Sequence, residues 1–372
     1  MRAKTVRPNS NIPVKRTSEG VETTRKNETA IEANSSSNAS APIFPVKSVL
    51  KKSEGVGMEA EFDKENINPV KTNNIDWDDL DAEDVGDPLM VSDYVVEIFD
   101  YMKEIEKKVT PSQNIMMKQP HLNWHMRSIL VDWLIEVQWK LKLLPETLYL
   151  SINIIDRILS CRKVSLNRLQ LVGLAATLLA SKYEEVVAPS VQNFVFLADN
   201  SYNATELLVA ERYIFQILNF SLAYPSPMSF LRRISKAESY DIRSRTLAKY
   251  LMEIALLDPN FVNQPPSLLA AVAIYTARFM LNSGPWTPNL VHYSGYQELY
   301  VRRLFSRLLH FLQQEQRYLS IHRKYSSKKY MKASIFVFDW LRRHYPTAAC
   351  LKSHYYSNDV TASTSTETSQ NI

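Results

Sequence analysis

Apolar residues recur at helical spacing along most of the chain, from about 91 to about 336. Val91, Val95, Ile98, Met102 and Ile105 keep that spacing behind Asp87-Pro88. This predicts an N-terminal helix with Asp87 as its N-cap and Pro88 in its first turn. Between about 123 and 223 the pattern predicts five helices. The first carries Ile129, Leu130, Trp133, Leu134, Val137 and Leu141 at a 3.6 period. The second, 147–160, has Leu148, Ile152, Ile155 and Leu159 on one face. The third, 165–186, is apolar nearly all round and is expected at the centre of the unit. Helices at 191–197 and 205–218 follow, and Pro225 and Pro227 then punctuate the chain. A second set is predicted at 228–237, 243–257, 267–281, 297–313 and 326–336. Its Ala-rich third helix echoes the first set's, with Ala273 against Ala176 and Ala277 against Ala180. The expected fold class is therefore all-α, two tandem five-helix units read as a duplicated domain.

The flanks read differently. Residues 1–86 are expected to be a disordered tail: the run NSSSNASAP is low-complexity, and Phe44 and Phe62 are the only aromatics before Trp77. Such composition buries too little apolar surface to offset its ordering entropy. An acidic stretch, WDDLDAED, stands at 77–84, and residues 346–372 are expected to form a second disordered tail. Residues 1–30 hold no apolar run of signal-peptide type, and no stretch approaches the roughly 18 uncharged apolar residues of a membrane span. The sequons at Asn27 and Asn38 are then accidents of an Asn/Ser-rich segment.

Composition supports the helical reading. The chain has 372 residues, 45% of them hydrophobic, but only 7 glycines, too few for the turns and bulges of a strand-rich fold. A net charge of +5 is too weak alone to argue for nucleic acid. Cys161 and Cys350 are far apart and fit no disulfide framework or CxxC pattern.

The catalytic motifs of phosphate-binding loops, dinucleotide folds, nucleophile elbows and zinc proteases are all missing. His121 and His125 have the i, i+4 spacing of a metal pair, but no third ligand is visible nearby, so they read as surface histidines. Cys161 reads as structural. The stretch MRSILVDWLIEV, 126–137, is readable in two ways: an amphipathic core helix, or an apolar groove for a partner peptide.

Four segments together resemble the cyclin box of a B-type cyclin of the fungal G2/mitotic kind: DPLMVSDYVVEIFDY, 87–101; MRSILVDWLIEV, 126–137; LPETLYLSINIIDRILS, 144–160; and SLNRLQLVGLAATLLASKYEE, 165–185. The resemblance covers about 87 to 340. It implies an N-terminal helix and linker at 87–122, an N-terminal cyclin box at 123–224 and a C-terminal cyclin fold at 225–345. It implies no catalysis and no cofactor, but activation of a cyclin-dependent protein kinase in S phase, G2/M or both. Lys182 and Glu211 match the family's polar kinase contacts, and Leu179, Tyr183, Phe215, Phe220 and Leu222 its apolar ones, with Tyr183 where Phe is common. Phe279 stands where Lys182 aligns in the second repeat, so the first repeat alone is expected to drive activation. Arg127 and Asp156 match a structural pair between the first two helices.

Three further sites follow from the resemblance. Met126, Ile129, Leu130, Trp133, Glu136, Leu169 and Gln170 match a docking patch for substrates and inhibitors with RxL-type motifs. Lys64, Glu65 and Asn66 match a KEN degron for the anaphase-promoting ubiquitin ligase, in a tail without an RxxL. Arg232, Arg245 and Lys249 match a pocket for phosphorylated Ser or Thr. Independently, Arg245 and Lys249 share a helix face with no acidic residue among 243–249, so an anion would relieve their repulsion. The family reading places the protein in nucleus and cytoplasm, with no nucleic-acid or membrane partner. The competing class is the transcription factor IIB family, whose tandem cyclin-like folds grip DNA. The basic clusters Arg302-Arg303, Lys328-Lys329 and Arg342-Arg343 favour that reading, but no cysteine before Cys161 supplies the zinc ribbon.

Overall fold

The computed structural model describes residues 76–314 and 318–352, and among them thirteen α-helices and no strand. The N-terminal helix is α1 (Val95–Val109). The first repeat is α2 (Trp124–Leu141), α3 (Pro145–Cys161), α4 (Leu166–Glu184), α5 (Val191–Leu197) and α6 (Ala204–Ile217). The second is α7 (Pro227–Lys236), α8 (Ile242–Ala255), α9 (Pro266–Leu281), α10 (Pro288–Ser294) and α11 (Glu298–Gln313). Two more helices, α12 (Leu319–Ser326) and α13 (Ala333–His344), close the chain.

Local chemistry sets the helix starts. Asn123, Ser190, Ser226, Asp241 and Thr287 each accept a backbone N–H of the helix they precede. Asn203 and Glu206 form a capping box on α6. Proline opens α3, α7, α9 and α10, where its missing N–H costs nothing. The Ala-rich helices α4 and α9 run through the centres of their repeats, and Ala176, Ala180, Ala273 and Ala277 are all fully buried. At Gly173, an added Cβ would lie 2.9 Å from Leu130 Cδ1, so glycine lets α2 and α4 approach.

The structure corrects the sequence reading in several places. The N-terminal helix begins at Val95; Asp87 instead accepts the Leu89 N–H (2.9 Å) in a turn, and Val91 is left-handed at φ +51°. The second repeat takes its fourth helix from α10, which was missed, and its fifth is α11. The region expected as one helix at 326–336 is instead the end of α12, a 3-10 turn at Lys328–Tyr330 and the start of α13. Residues 77–84, expected to be tail, pack against α7 and α10. At the other end the chain stays packed as far as Cys350, which is buried. Lys64, Glu65 and Asn66 lie outside the described residues.

The repeats are joined through buried polar bonds. Arg127 Nη1 donates to the Leu256 carbonyl and Ser128 Oγ to the Leu257 carbonyl, each at 2.8 Å, tying α2 to the end of α8. Glu106 of α1 accepts the Ser267 N–H (3.0 Å) and hydroxyl (2.7 Å) at the start of α9. Burial pushes the Glu106 carboxyl up, against those two bonds. From the first repeat, Asn153 Nδ2 donates to the Val109 carbonyl of α1 (2.9 Å).

Candidate functional site

Lys182 stands near the end of α4 and Glu211 in the middle of α6. The ammonium lies 2.6 Å from Glu211 Oε1 and 2.8 Å from Oε2. Glu211 is buried, while the Lys182 side chain is 44% exposed, so the cation keeps a face to solvent. Tyr183, next to Lys182 in α4, is exposed, and Phe220, just past the end of α6, is 66% exposed and set edge-on at 4.8 Å to Phe215, which follows Glu211 by four residues on α6. Phe220 adopts φ +61° because its N–H closes the end of α6 on the Phe215 carbonyl (3.1 Å). Leu179 and Leu222 are buried and form the floor of this surface, not its face.

The second repeat handles the equivalent positions differently. Lys182 and Phe279 each stand two residues before the last residue of their helices, and Glu211 and Phe305 each seven residues after the first. Where the first repeat has an ion pair, the second has Phe279 and Phe305 in a T-shaped contact at 5.0 Å. Trp340 of α13 packs on Phe279 at 5.8 Å. The second repeat thus covers with its own chain the face that the first leaves open.

On α2 the sequence-singled residues divide. Leu130 of α2 and Leu169 of α4 are buried; Met126, Trp133 and Gln170 are half-buried; Ile129 is exposed. Leu166, not singled out in the sequence, is exposed three residues before Leu169 on the same side of α4. Glu136 bonds Lys140 at 2.8 Å on the exposed face of the helix. Asp132 accepts the Ser320 and Ile321 N–H groups (3.4 and 3.3 Å), capping α12. Burial raises its carboxyl against those bonds.

Arg127 and Asp156 form a buried, two-pronged pair: Nε to Oδ1 at 2.6 Å and Nη2 to Oδ2 at 2.7 Å. A second buried charge centre had no sequence signal. Lys324 of α12 donates to both Glu253 oxygens (2.8 and 2.7 Å) and to Gln138 Oε1 (2.9 Å), and the Tyr325 hydroxyl donates to Glu253 (2.7 Å). These four residues come from α2, α8 and α12, far apart in the chain.

Arg232, Arg245 and Lys249 converge from α7 and α8. Lys249 is half-buried. Burial lowers its ammonium pKa, and the charges of Arg245 and Arg232 push it the same way; Glu146 from α3 partly opposes them. The acid absent from 243–249 is thus partly supplied from another helix. Arg245 Nε is buried without a hydrogen-bond partner, and its guanidinium lies 5.8 Å from the Tyr240 ring. His121 and His125 are both exposed, and no cluster of three His, Cys, Asp or Glu fit for a metal occurs among the described residues. No described helix is long and apolar enough to cross a membrane.

Comparison with known proteins gives a consistent result. The model of the cyclin N-terminal domain matches residues 97–223, and that of the cyclin C-terminal domain residues 225–339. The G2/mitotic-specific cyclin cdc13 of Schizosaccharomyces pombe is 58% identical over 269 residues, 72% of this chain and 56% of that protein. The G2/mitotic-specific cyclin-B of Emericella nidulans is 51% identical over 267 residues, again 72% and 56%. The G2/mitotic-specific cyclin cig2 of S. pombe is 44% identical over 316 residues, 84% and 75%. The matched part is thus little more than half the length of the first two relatives. A viral cyclin from herpesvirus saimiri shares the fold, with a TM-score of 0.51 at 22% identity over 57% of this chain and 97% of that one.

Proposed function

This chain belongs to the cyclin family, with relatives among the fungal G2/mitotic B-type cyclins, and from that premise we propose that it is the activating, non-catalytic subunit of a cyclin-dependent protein kinase. The observation that carries this reading is the contrast between the repeats. Lys182, Glu211, Tyr183 and Phe220 form an open charged and aromatic surface in the first, whereas Phe279, Phe305 and Trp340 close the matching surface in the second. An aromatic rim around a partly desolvated charge is the composition of an interface hot spot.

A protein kinase becomes active when its own Lys–Glu pair closes and its activation loop is released. A rigid helical surface that binds the closed arrangement more tightly than the open one shifts the population toward it. Lys182 supplies the charge that meets polar groups of the kinase's mobile helix, and Tyr183, Phe215 and Phe220 supply the apolar contact. On the same reading, the α2/α4 patch recruits RxL-type substrates and inhibitors. The Arg232, Arg245 and Lys249 cluster receives primed phosphates. The KEN sequence at Lys64, Glu65 and Asn66 exposes the protein to the anaphase-promoting ligase, and the complex works in nucleus and cytoplasm.

The test is reconstitution with a purified cyclin-dependent kinase. Lys182→Ala with Glu211→Ala is expected to abolish kinase binding and activation while far-ultraviolet circular dichroism stays helical. Full activation by a folded double variant overturns the assignment.

A further inference from the structure

The acidic segment ahead of α1 behaves as a bound peptide. Trp77 stacks on His292 of α10, with centroids 3.5 Å apart and rings 11° from parallel, and its ring edge meets Tyr293 at 6.3 Å. The Leu80 N–H donates to the Tyr293 hydroxyl (2.8 Å) and the Asp78 N–H to Asn289 Oδ1 (2.9 Å). Asn289 Nδ2 returns a bond to Asp78 Oδ2 (2.9 Å). Asp81 sits in a clamp of two cations: Arg233 reaches both its oxygens, Nη2 to Oδ2 at 2.6 Å, and Lys236 donates at 2.7 Å. Asp84 takes a further bond from Lys236. The Arg233 guanidinium lies 4.6 Å from the Tyr293 ring, held between that ring and Phe99.

Two features distinguish this contact from ordinary packing. No residue from 77 to 91 is buried, so the segment adds nothing to the core. The receiving side chains, by contrast, are sequestered: Arg233 and Lys236 are about nine-tenths covered, with the segment's two aspartates as their counter-charges. Without the segment the groove would hold two adjacent cations beside an aromatic slot, a composition that attracts a carboxylate-bearing ligand.

We propose that the groove between α7 and α10 is a docking site for acidic peptides of partner proteins, which the chain fills in cis with its own residues 77–84. The groove reads three things: an aromatic ring in the His292/Tyr293 slot, a backbone N–H at Tyr293 and Asn289, and carboxylates four and seven residues after the ring at Arg233 and Lys236. Tethering through 85–94 gives the internal segment an effective concentration in the millimolar range. A partner peptide therefore docks only when it binds more tightly than that, or when the segment is displaced. This surface is distinct from the Lys182 surface, so the two proposals succeed or fail independently.

The experiment uses the whole chain with Trp77→Ala, Asp81→Ala and Asp84→Ala, which frees the groove without touching a buried residue. The probe is a fluorescein-labelled peptide of residues 76–86, followed by anisotropy. The freed chain is expected to bind the probe saturably and about tenfold or more tightly than the parent, with affinity falling as salt rises. Adding Arg233→Glu and Lys236→Glu is expected to abolish binding while circular dichroism and thermal midpoint match the freed chain. Absence of saturable binding to a folded freed chain, or binding indifferent to the charge reversals, overturns the proposal. So does a parent protein that light scattering shows to be a dimer dissociated by the Trp77, Asp81 and Asp84 substitutions, because the occupant is then a second copy.

Discussion

Arg127 and Lys324 are both long cations sealed from water, and both hold helices together by charge. Removing one partner of such a pair leaves an uncompensated buried charge, at about 3–5 kcal/mol. Lys324→Met is therefore expected to lower unfolding free energy by about that amount in urea titrations, since Glu253 would lose its cation and keep the Tyr325 hydroxyl. A loss below about 1 kcal/mol would mean that water reaches Glu253. The two cations differ in how far the sequence exposed them. Arg127 sits inside a family motif, whereas Lys324 lies in HRKYSSKKY, where every cation reads as surface. Only the fold shows that Gln138, Glu253 and Tyr325 meet around it.

At the scale of elements, α2 serves two neighbours and leaves one face open. Arg127 faces α3, Asp132 caps α12, and Met126, Ile129 and Trp133 are left partly open. Trp133→Ala is expected to slow phosphorylation of RxL-bearing substrates while sparing a short peptide substrate; equal loss on both would indicate a folding defect. Gly173→Ala tests the same patch from beneath, because the new Cβ would lie 2.9 Å from Leu130 Cδ1 and the Leu130 side chain must shift. Helix propensity gains about 1 kcal/mol and overpacking costs about 1–3, so modest destabilisation with impaired docking is expected in thermal melts and docking assays. The 77–84 segment gives a pH prediction. Burial would raise the Asp81 carboxyl, but hydrogen bonds from Arg233 and Lys236 outweigh it and hold the group below its ordinary value. A lowered carboxylate stabilises its contact fully above its unfolded pKa, and that contribution is lost as pH falls through the lower folded value. The Trp77 fluorescence, isolated by difference from Trp77→Phe, is thus expected to hold at neutral pH and report release only in acid. Release near neutrality would point to His292 instead, although burial and the charge of Arg233 lower the pKa of its ring. The sequence reading missed α10 because its seven residues, Pro288–Ser294, carry only Leu290, Val291 and Tyr293 as apolar positions, whereas the equally short α5 has Val191, Phe194 and Val195 at helical spacing.

At the scale of the whole molecule, the proposed phosphate cluster depends on α7 and α8 meeting α3. Replacing Arg232, Arg245 and Lys249 by alanine is expected to leave kinase binding and single-site peptide activity intact and to slow multisite phosphorylation of a primed substrate. If priming accelerates the triple variant as much as the parent, the cluster is not a phosphate site. The sequence by itself determined the helical class, the duplicated unit and its Ala-rich centres, because side-chain periodicity and proline placement act over one or two turns. It also marked Arg127, Lys182 and Trp133, since these lie in long contiguous motifs. Only the tertiary structure decided that Leu179 and Leu222 lie beneath the surface, that Glu146 approaches Lys249, that Lys324 is buried, and that WDDLDAED is a docked segment instead of a tail. Each of these depends on charges and side chains brought together across tens to hundreds of residues. Burial and partner choice are properties of that assembled interior, and no local spacing encodes them.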